Sequence, residues 1–178
     1  GEKEEVMKES SCKAAAVSRM EIRNYANWFR KRLHLENERR IDIVFLFEHV
    51  FPLIFQKENF LVEIMPKEEM GNNQGLTIPR DGRIFIREDV YEGACRGNGR
   101  DRFTMAHELG HFLLHNALTG LGRSSGPIPV YCDPEWQANA FAGEFLMGHE
   151  IIKEMCPEEI AEQCGVSLAA ARVQKSKQ

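Results

Sequence analysis

Between Ser18 and about His34 the apolar residues Met20, Ile22, Tyr25, Trp28, Phe29 and Leu33 return mostly every three or four positions, with charges between them. This spacing predicts an amphipathic helix. A charged break at 36–40 leads to "DIVFLFEHVFPLIF", apolar on nearly every side, which predicts a buried core helix with Asp42 as N-cap and Pro52 bending or ending it. From Asn59 to Arg87 the rhythm shortens to "NFLVEIMP", "QGLTIP" and "GRIFIRE", separated by Pro, Gly and Asn signals, which predicts three strands of a small sheet. In the last of these Ile84 and Ile86 alternate with Arg83, Phe85 and Arg87, so one face should be buried and the other wetter. "EGACRGNGRDR" and "LTGLGRSSGPIPVYCD" read as loops on either side of one further helix, and a second, "PEWQANAFAGEFLMG", follows with Asp133 as N-cap and Pro134 in its first turn. The C-terminus reads as two short helices around Gly165, the second capped by Ser167. The pattern is α+β, a mostly helical domain with a small three-stranded sheet.

At 178 residues and 43% hydrophobic content the chain can bury one sizeable core but not two ordinary domains. The expected division is a main domain over 18–150, a short helical tail over 151–178 and a flexible lead over 1–17. There is no apolar run of membrane-spanning length, and the acidic start lacks the basic and apolar regions of a signal peptide. Five scattered cysteines, never in a CxxC pair, speak against a disulfide framework or a zinc ribbon and for a reducing cytoplasm. A net charge of −4 lacks the footprint of a nucleic-acid binder, so neither nucleic acid nor membrane is expected as a partner. The basic run "RKRLHLENERR" is interrupted by acids and reads as a solvated helix face.

The chemistry concentrates in "TMAHELGHFLLH", 104–115. Residues four apart on a helix differ by about 400° of rotation and about 6 Å of rise, so His107 and His111 project from one face within reach of one ion. Glu108 points alongside them, where it can take a proton from water at the metal. Met105, Leu109, Phe112 and Leu113 can anchor this helix in a core, and Gly110 lets neighbouring backbone approach. A catalytic zinc needs a third protein ligand and an open position. His115 lies about 12 Å along the helix from His107, too far to share the ion, which leaves it a supporting or helix-terminal role. Glu135 on the following helix is the better third ligand. Asn139, one turn on, falls on the same face and can accept the outer ring N–H of a ligand histidine. Glu144 ranks second, and Cys132 raises a redox possibility beside a plainer reading as a packed loop residue.

"RFTMAHELGHFLLH" followed by "EWQANAFAGEFLM" resembles the ImmA/IrrE family of bacterial zinc metallopeptidases, in which an "AHELGH" helix precedes an "ExxAN/DxFAxxLLMP" helix. Gly148 stands where that pattern commonly has Pro. The resemblance implies a thermolysin-like, gluzincin minimal metallopeptidase with one Zn2+ held by His107, His111 and Glu135, Glu108 as base and Asn139 behind a ligand. It also implies a cytoplasmic bacterial protein that cleaves a helix-turn-helix repressor of the XRE type, in stress responses or mobile-element control. The tail "IAEQCGVSLAAARVQ" is itself helix-turn-helix-like but too short for a complete DNA-binding module, and is expected to pack on the peptidase or hold a partner.

The expected reaction is metal-assisted amide hydrolysis, with Tyr131 and His115 as the nearby candidates for an oxyanion donor and the strand 83–87 aligning an extended substrate. Two other classes remain: a zinc-containing binding protein that engages a transcription factor would keep its function without Glu108, and a DNA-associated regulator would bind duplex DNA salt-dependently without needing metal. A non-peptide zinc hydrolase would use the same ligands on another bond.

Overall fold

The computed structural model describes residues 7–9, 12–115, 122–123 and 126–178. In chain order its elements are the short strands β1 (Met7–Glu9) and β2 (Cys12–Lys13), helix α1 (Arg19–Arg32), helical turns α2 (Ile43–Phe45) and α3 (Phe51–Ile54), and strand β3 (Leu61–Met65). Then come the turn α4 (Lys67–Met70), strands β4 (Gly75–Ile78) and β5 (Arg83–Arg87), and helices α5 (Glu88–Cys95) and α6 (Gly99–Leu114). Strands β6 (Gly122–Arg123) and β7 (Pro127–Pro129) precede helices α7 (Pro134–Leu146), α8 (His149–Ile152), α9 (Pro157–Cys164) and α10 (Leu168–Ser176). The architecture is α+β with a small mixed sheet. Among the described residues no helix is long and apolar enough to cross a membrane.

The three predicted strands form one sheet of order β3-β5-β4, with β3 parallel and β4 antiparallel to β5. Ile84 and Ile86 on the central strand are fully buried, and Arg83, Phe85 and Arg87 alternate with them on the wetter face, as expected. Because β3 and β4 occupy both sides of β5, its main chain has no edge on which to align a substrate, as was expected of 83–87; among the described residues the outer edge of β4 has no neighbour in the sheet.

Helix α1 follows the predicted course from Ser18, whose hydroxyl accepts the Glu21 N–H while the Glu21 carboxylate accepts the Ser18 N–H. Its inner residues Ile22, Ala26 and Phe29 join Phe141 and Phe145 of α7 in the core. Helix α7 is buried along almost its whole length and carries the other helices around it. The following segment differs from the expected buried helix. Asp42 caps α2 as predicted, but the chain widens into a π turn at Leu46–Val50 and resumes at α3 with Pro52 in its first turn. Proline has no N–H to give the preceding turn, and a first turn needs none. The segment is also two-faced: Ile43, Phe47 and Phe51 are buried, whereas Leu53 is 67% exposed and Phe45 and Ile54 are also open to water.

The charged loop expected before the motif helix is partly helix α5, because Val90, Gly93 and Ala94 bury one face of it. The basic run is likewise not all solvated. Arg30 is 2% exposed and donates to the carbonyls of Phe145 and Glu38. The tail helices α9 and α10 flank left-handed Gly165 and pack on the main body through Ile160, Cys164, Val166 and Ala171. Buried Arg102 of α6 ties them down by donating to Gly165 O at 2.9 Å and Ile41 O at 2.7 Å. Of the stretch 1–17 expected as a flexible lead, residues 1–6 and 10–11 lie outside the described residues. Its described part pairs β1 with β7 and β2 with β6, and the Ala14 and Val17 N–H groups donate to Cys132 O and Tyr131 O. Residues 116–117, and 118–121 and 124–125 of the loop expected after α6, also lie outside the described residues.

Candidate metal centre

Asn98 caps α6 by accepting the Asp101 N–H at 3.1 Å, and Met105, Leu109 and Phe112 bury its inner face. Phe112 meets Phe55 and Phe60 with ring centroids 5.0 and 5.1 Å apart, edge to face, which anchors the helix end. The opposite face carries His107 and His111. Helix α7 starts at Asp133, whose carboxylate accepts the Glu135 N–H at 3.1 Å, so Glu135 stands in the first turn with Asn139 one turn behind it. The two helices come together at Gly110. A Cβ there would lie 3.0 Å from Ala138 O and 3.1 Å from Ala138 Cα, so the missing side chain sets how near α7 brings its carboxylate.

At this crossing the predicted ligand atoms converge. Nε2 of His107 and Nε2 of His111 are 3.1 Å apart, and each lies 3.0 Å from one oxygen of Glu135. Glu108 Oε1 is further off, 3.9 Å from His107 Nε2, although the ligand atoms of His107, Glu108 and His111 all lie within 4.8 Å of one another. Lone-pair donors packed this closely require protons or a cation among them. Two imidazole nitrogens and a carboxylate are a donor set that fits zinc, and the nearer carboxylate is that of Glu135. Asn139 Oδ1 lies 2.7 Å from His107 Nδ1, an acceptor that places the ring proton on Nδ1 and the lone pair on Nε2. Glu144, the second choice for a ligand, is far from this point and is held by Arg19 and Arg23.

Burial weighs against charge on His107, but its hydrogen bonds to Glu135 and Asn139, which accept, and the charges of Glu108 and Glu135 outweigh it and raise its pKa. The two imidazoles hold the Glu135 carboxyl far below the usual range. Glu108 shifts the other way: burial raises its pKa against the opposing pull of His107 and Thr77. Thr77 was not foreseen as part of the site. Its hydroxyl donates to Glu108 Oε2 at 2.6 Å from strand β4. Beside it a Cβ on Gly75 would lie 2.7 Å from Glu108 Cγ, so only glycine leaves room for the carboxylate.

A cleft of about 650 Å³ opens over these groups, with Asn72, Gln74, Gly75, Leu76 and Thr77 on one side and Pro134, Glu135 and Asn139 on the other. Cys12 also lines it, which nothing in the sequence pattern indicated. Neither expected oxyanion donor does. His115 is 2% exposed with both ring nitrogens engaged, to His111 Nδ1 at 3.0 Å and Gln137 Oε1 at 2.7 Å, and burial lowers its pKa to about 4. Tyr131 is 41% exposed and does not line the cleft; its carbonyl accepts from Gln137 Nε2 at 2.8 Å. Cys132 is buried away from the cleft, in keeping with its plainer reading.

Over residues 58–174, more than half of the chain, the sequence matches the M78 peptidase family model, described as the IrrE N-terminal-like domain. No curated protein matches it.

Proposed function

Because the chain belongs to the IrrE N-terminal-like family of M78 peptidases, we propose that it is a zinc-dependent endopeptidase of the gluzincin type, with His107, His111 and Glu135 as metal ligands and Glu108 as general base. The observation that carries this reading is the meeting of both Nε2 atoms with the Glu135 carboxylate at 3.0 Å, with a second, separately held carboxylate beside them. Zinc bound there would supply Lewis acidity, polarising a scissile carbonyl and acidifying water.

The chain's own groups supply the rest. Glu108 is held at Oε2 by Thr77, which leaves Oε1 on the side of the histidines to accept a proton from water. Its raised pKa brings it nearer the range in which a carboxyl can release that proton again, to the leaving amide nitrogen. Gly75, Leu76 and Thr77 present the free edge of β4 to the cleft, where an extended peptide can add as a further strand. Asn72 and Gln74 flank it with uncharged donors and acceptors, which suit a backbone more than a charged side chain.

By the resemblance drawn from the motif pair, the substrate is a helix-turn-helix repressor of the XRE type. The test combines zinc stoichiometry on wild type, His107→Ala and Glu135→Ala with cleavage of such a repressor by wild type and Glu108→Gln. About one zinc per chain, lost in both ligand variants, and cleavage abolished in Glu108→Gln are the expected results. Zinc retained by Glu135→Ala would move the third ligand elsewhere. Zinc bound with function intact in Glu108→Gln would replace the enzyme by a binding protein.

A further inference from the structure

The two ligand histidines are oriented by different devices. His107 meets a single amide oxygen, Asn139 Oδ1, at the rim of the cleft. His111 Nδ1 instead faces another imidazole, His115 Nδ1, at 3.0 Å, and two facing ring nitrogens bond only if one carries the proton and the other does not. Which one carries it is decided one residue further on.

Gln137 Nε2 lies 2.8 Å from Ala15 O and 2.8 Å from Tyr131 O. Carbonyl oxygens only accept, so the atom against both is the amide nitrogen, and the orientation of this buried amide is set without reference to any histidine. Its oxygen therefore points at His115 Nε2, 2.7 Å away, and an oxygen there requires Nε2–H. Neutral His115 then has its lone pair on Nδ1, which accepts from His111 Nδ1–H. The lone pair of His111 is left on Nε2, towards Glu135 and His107.

We propose that Gln137 and His115 form a fixed-polarity relay that sets the tautomer of His111 and so prepares its Nε2 as a metal ligand. Both are positioning residues that act through His111. The inference rests on the metal reading above. It also gives a task to the segment before α1: Ala15 anchors the relay, although it lies outside residues 58–174 that match the family. Ala14 and Val17 hold that segment against Cys132 O and Tyr131 O, so the two carbonyls that orient Gln137 are themselves tied together.

The test is carried out on zinc-loaded, 15N-histidine-labelled protein, with imidazole nitrogen shifts reporting each tautomer and chelator competition reporting zinc affinity. Wild-type His115 is expected as the neutral Nε2–H form. Gln137→Leu should mix its tautomers, and both Gln137→Leu and His115→Leu should weaken zinc binding by about 10–100-fold, the range for loss of an outer partner of a metal ligand. His115→Asn keeps an acceptor for His111 Nδ1–H and should restore affinity to within a few-fold of wild type, a rescue that a purely space-filling role would not produce. His115 found as Nδ1–H in wild type, or undiminished affinity in a folded His115→Leu protein, overturns the relay. Should His115→Leu fail to fold, the wild-type spectrum decides alone. Should wild type bind no zinc, the metal reading fails, while the His115 tautomer in the metal-free protein still decides the polarity.

Discussion

Two glutamates, Glu108 on α6 and Glu144 on α7, are withdrawn from water, and their surroundings differ in kind. Glu144 is fully buried and fully compensated: Arg19 Nε donates to it at 2.9 Å, and Arg23 grips both oxygens at 3.1 Å. Glu108 is 4% exposed, and among the described residues it meets the Thr77 hydroxyl and the edge of an imidazole but no arginine or lysine. A buried carboxylate paired bidentately is a structural fastening, because either charge alone would be stranded in a poor solvent. One without such a pair keeps more of its affinity for a proton, and burial raises the pKa of Glu108 against the pull of the histidines and Thr77. The same residue type thus joins α7 to α1 in one place and keeps a raised pKa beside the histidines in the other, and the arginines nearby make the difference.

The largest expected effect breaks the comparison at the cleft. Glu108→Gln should lower kcat for peptide cleavage by about 10²–10⁴-fold, the usual worth of a positioned base, while zinc binding persists. Steady-state cleavage beside metal analysis checks this, and retained turnover would remove Glu108 from the chemistry. At the other glutamate, Glu144→Leu strands two arginines and should cost about 3 kcal/mol, lowering Tm by roughly 6–12 °C in a chain of this size. Cleavage per folded molecule should be unchanged; activity lost without loss of Tm would show that Glu144 is more than a fastening.

Smaller effects sharpen the contrast. Thr77→Val removes the hydroxyl that stabilises the Glu108 carboxylate, so kcat should fall about 10-fold, as expected for a hydrogen bond to a charged group. The acid limb of the pH–rate profile should also move upward. The sign follows from the role: a base works when deprotonated, and the Thr77 bond lowers the Glu108 pKa, so losing it raises the pH below which activity fades. An unmoved limb would separate Thr77 from the base. The smallest effect is on stability. The folded-state pKa of Glu108 lies above its unfolded value, so its contribution favours folding at acid pH and is lost as pH rises through the folded pKa. Metal-free Glu108→Gln should therefore melt above wild type at neutral pH, with the gain vanishing below the ordinary glutamate range. A lower Tm at neutral pH would count against an uncompensated charge.

Much of the centre was legible before any fold was known, because helical spacing is a local rule. His107 and His111 share a face by rotation alone, and the caps Asp42, Asp133 and Ser167 are short-range signals that the structure repeats. Errors arose where packing overrode local pattern. "EGACRGNGRDR" reads as a loop by composition, yet Val90 and Ala94 found a core to bury against and made α5. Arg30 reads as solvated by its neighbours, yet a free carbonyl at Phe145 drew it inside. Strand 83–87 reads as an edge on which a peptide could pair, but β3 and β4 fill both of its edges, which side-chain alternation between faces does not report.

What the sequence by itself determined is the set of reactive groups and the helical face that carries two of them, since these depend on a repeat of 3.6 residues and on turn and cap chemistry within a few positions. The tertiary structure alone decided which polar groups complete the site. Thr77 reaches Glu108 from another layer, and Gln137 joins His115 to Ala15 across the length of α1 and the sheet. A threonine or glutamine in isolation has no periodicity to announce such a partner. These contacts exist because Gly110 lets α6 and α7 pack closely and because β4 lies as a free edge beside them, and both follow from how the whole core closes.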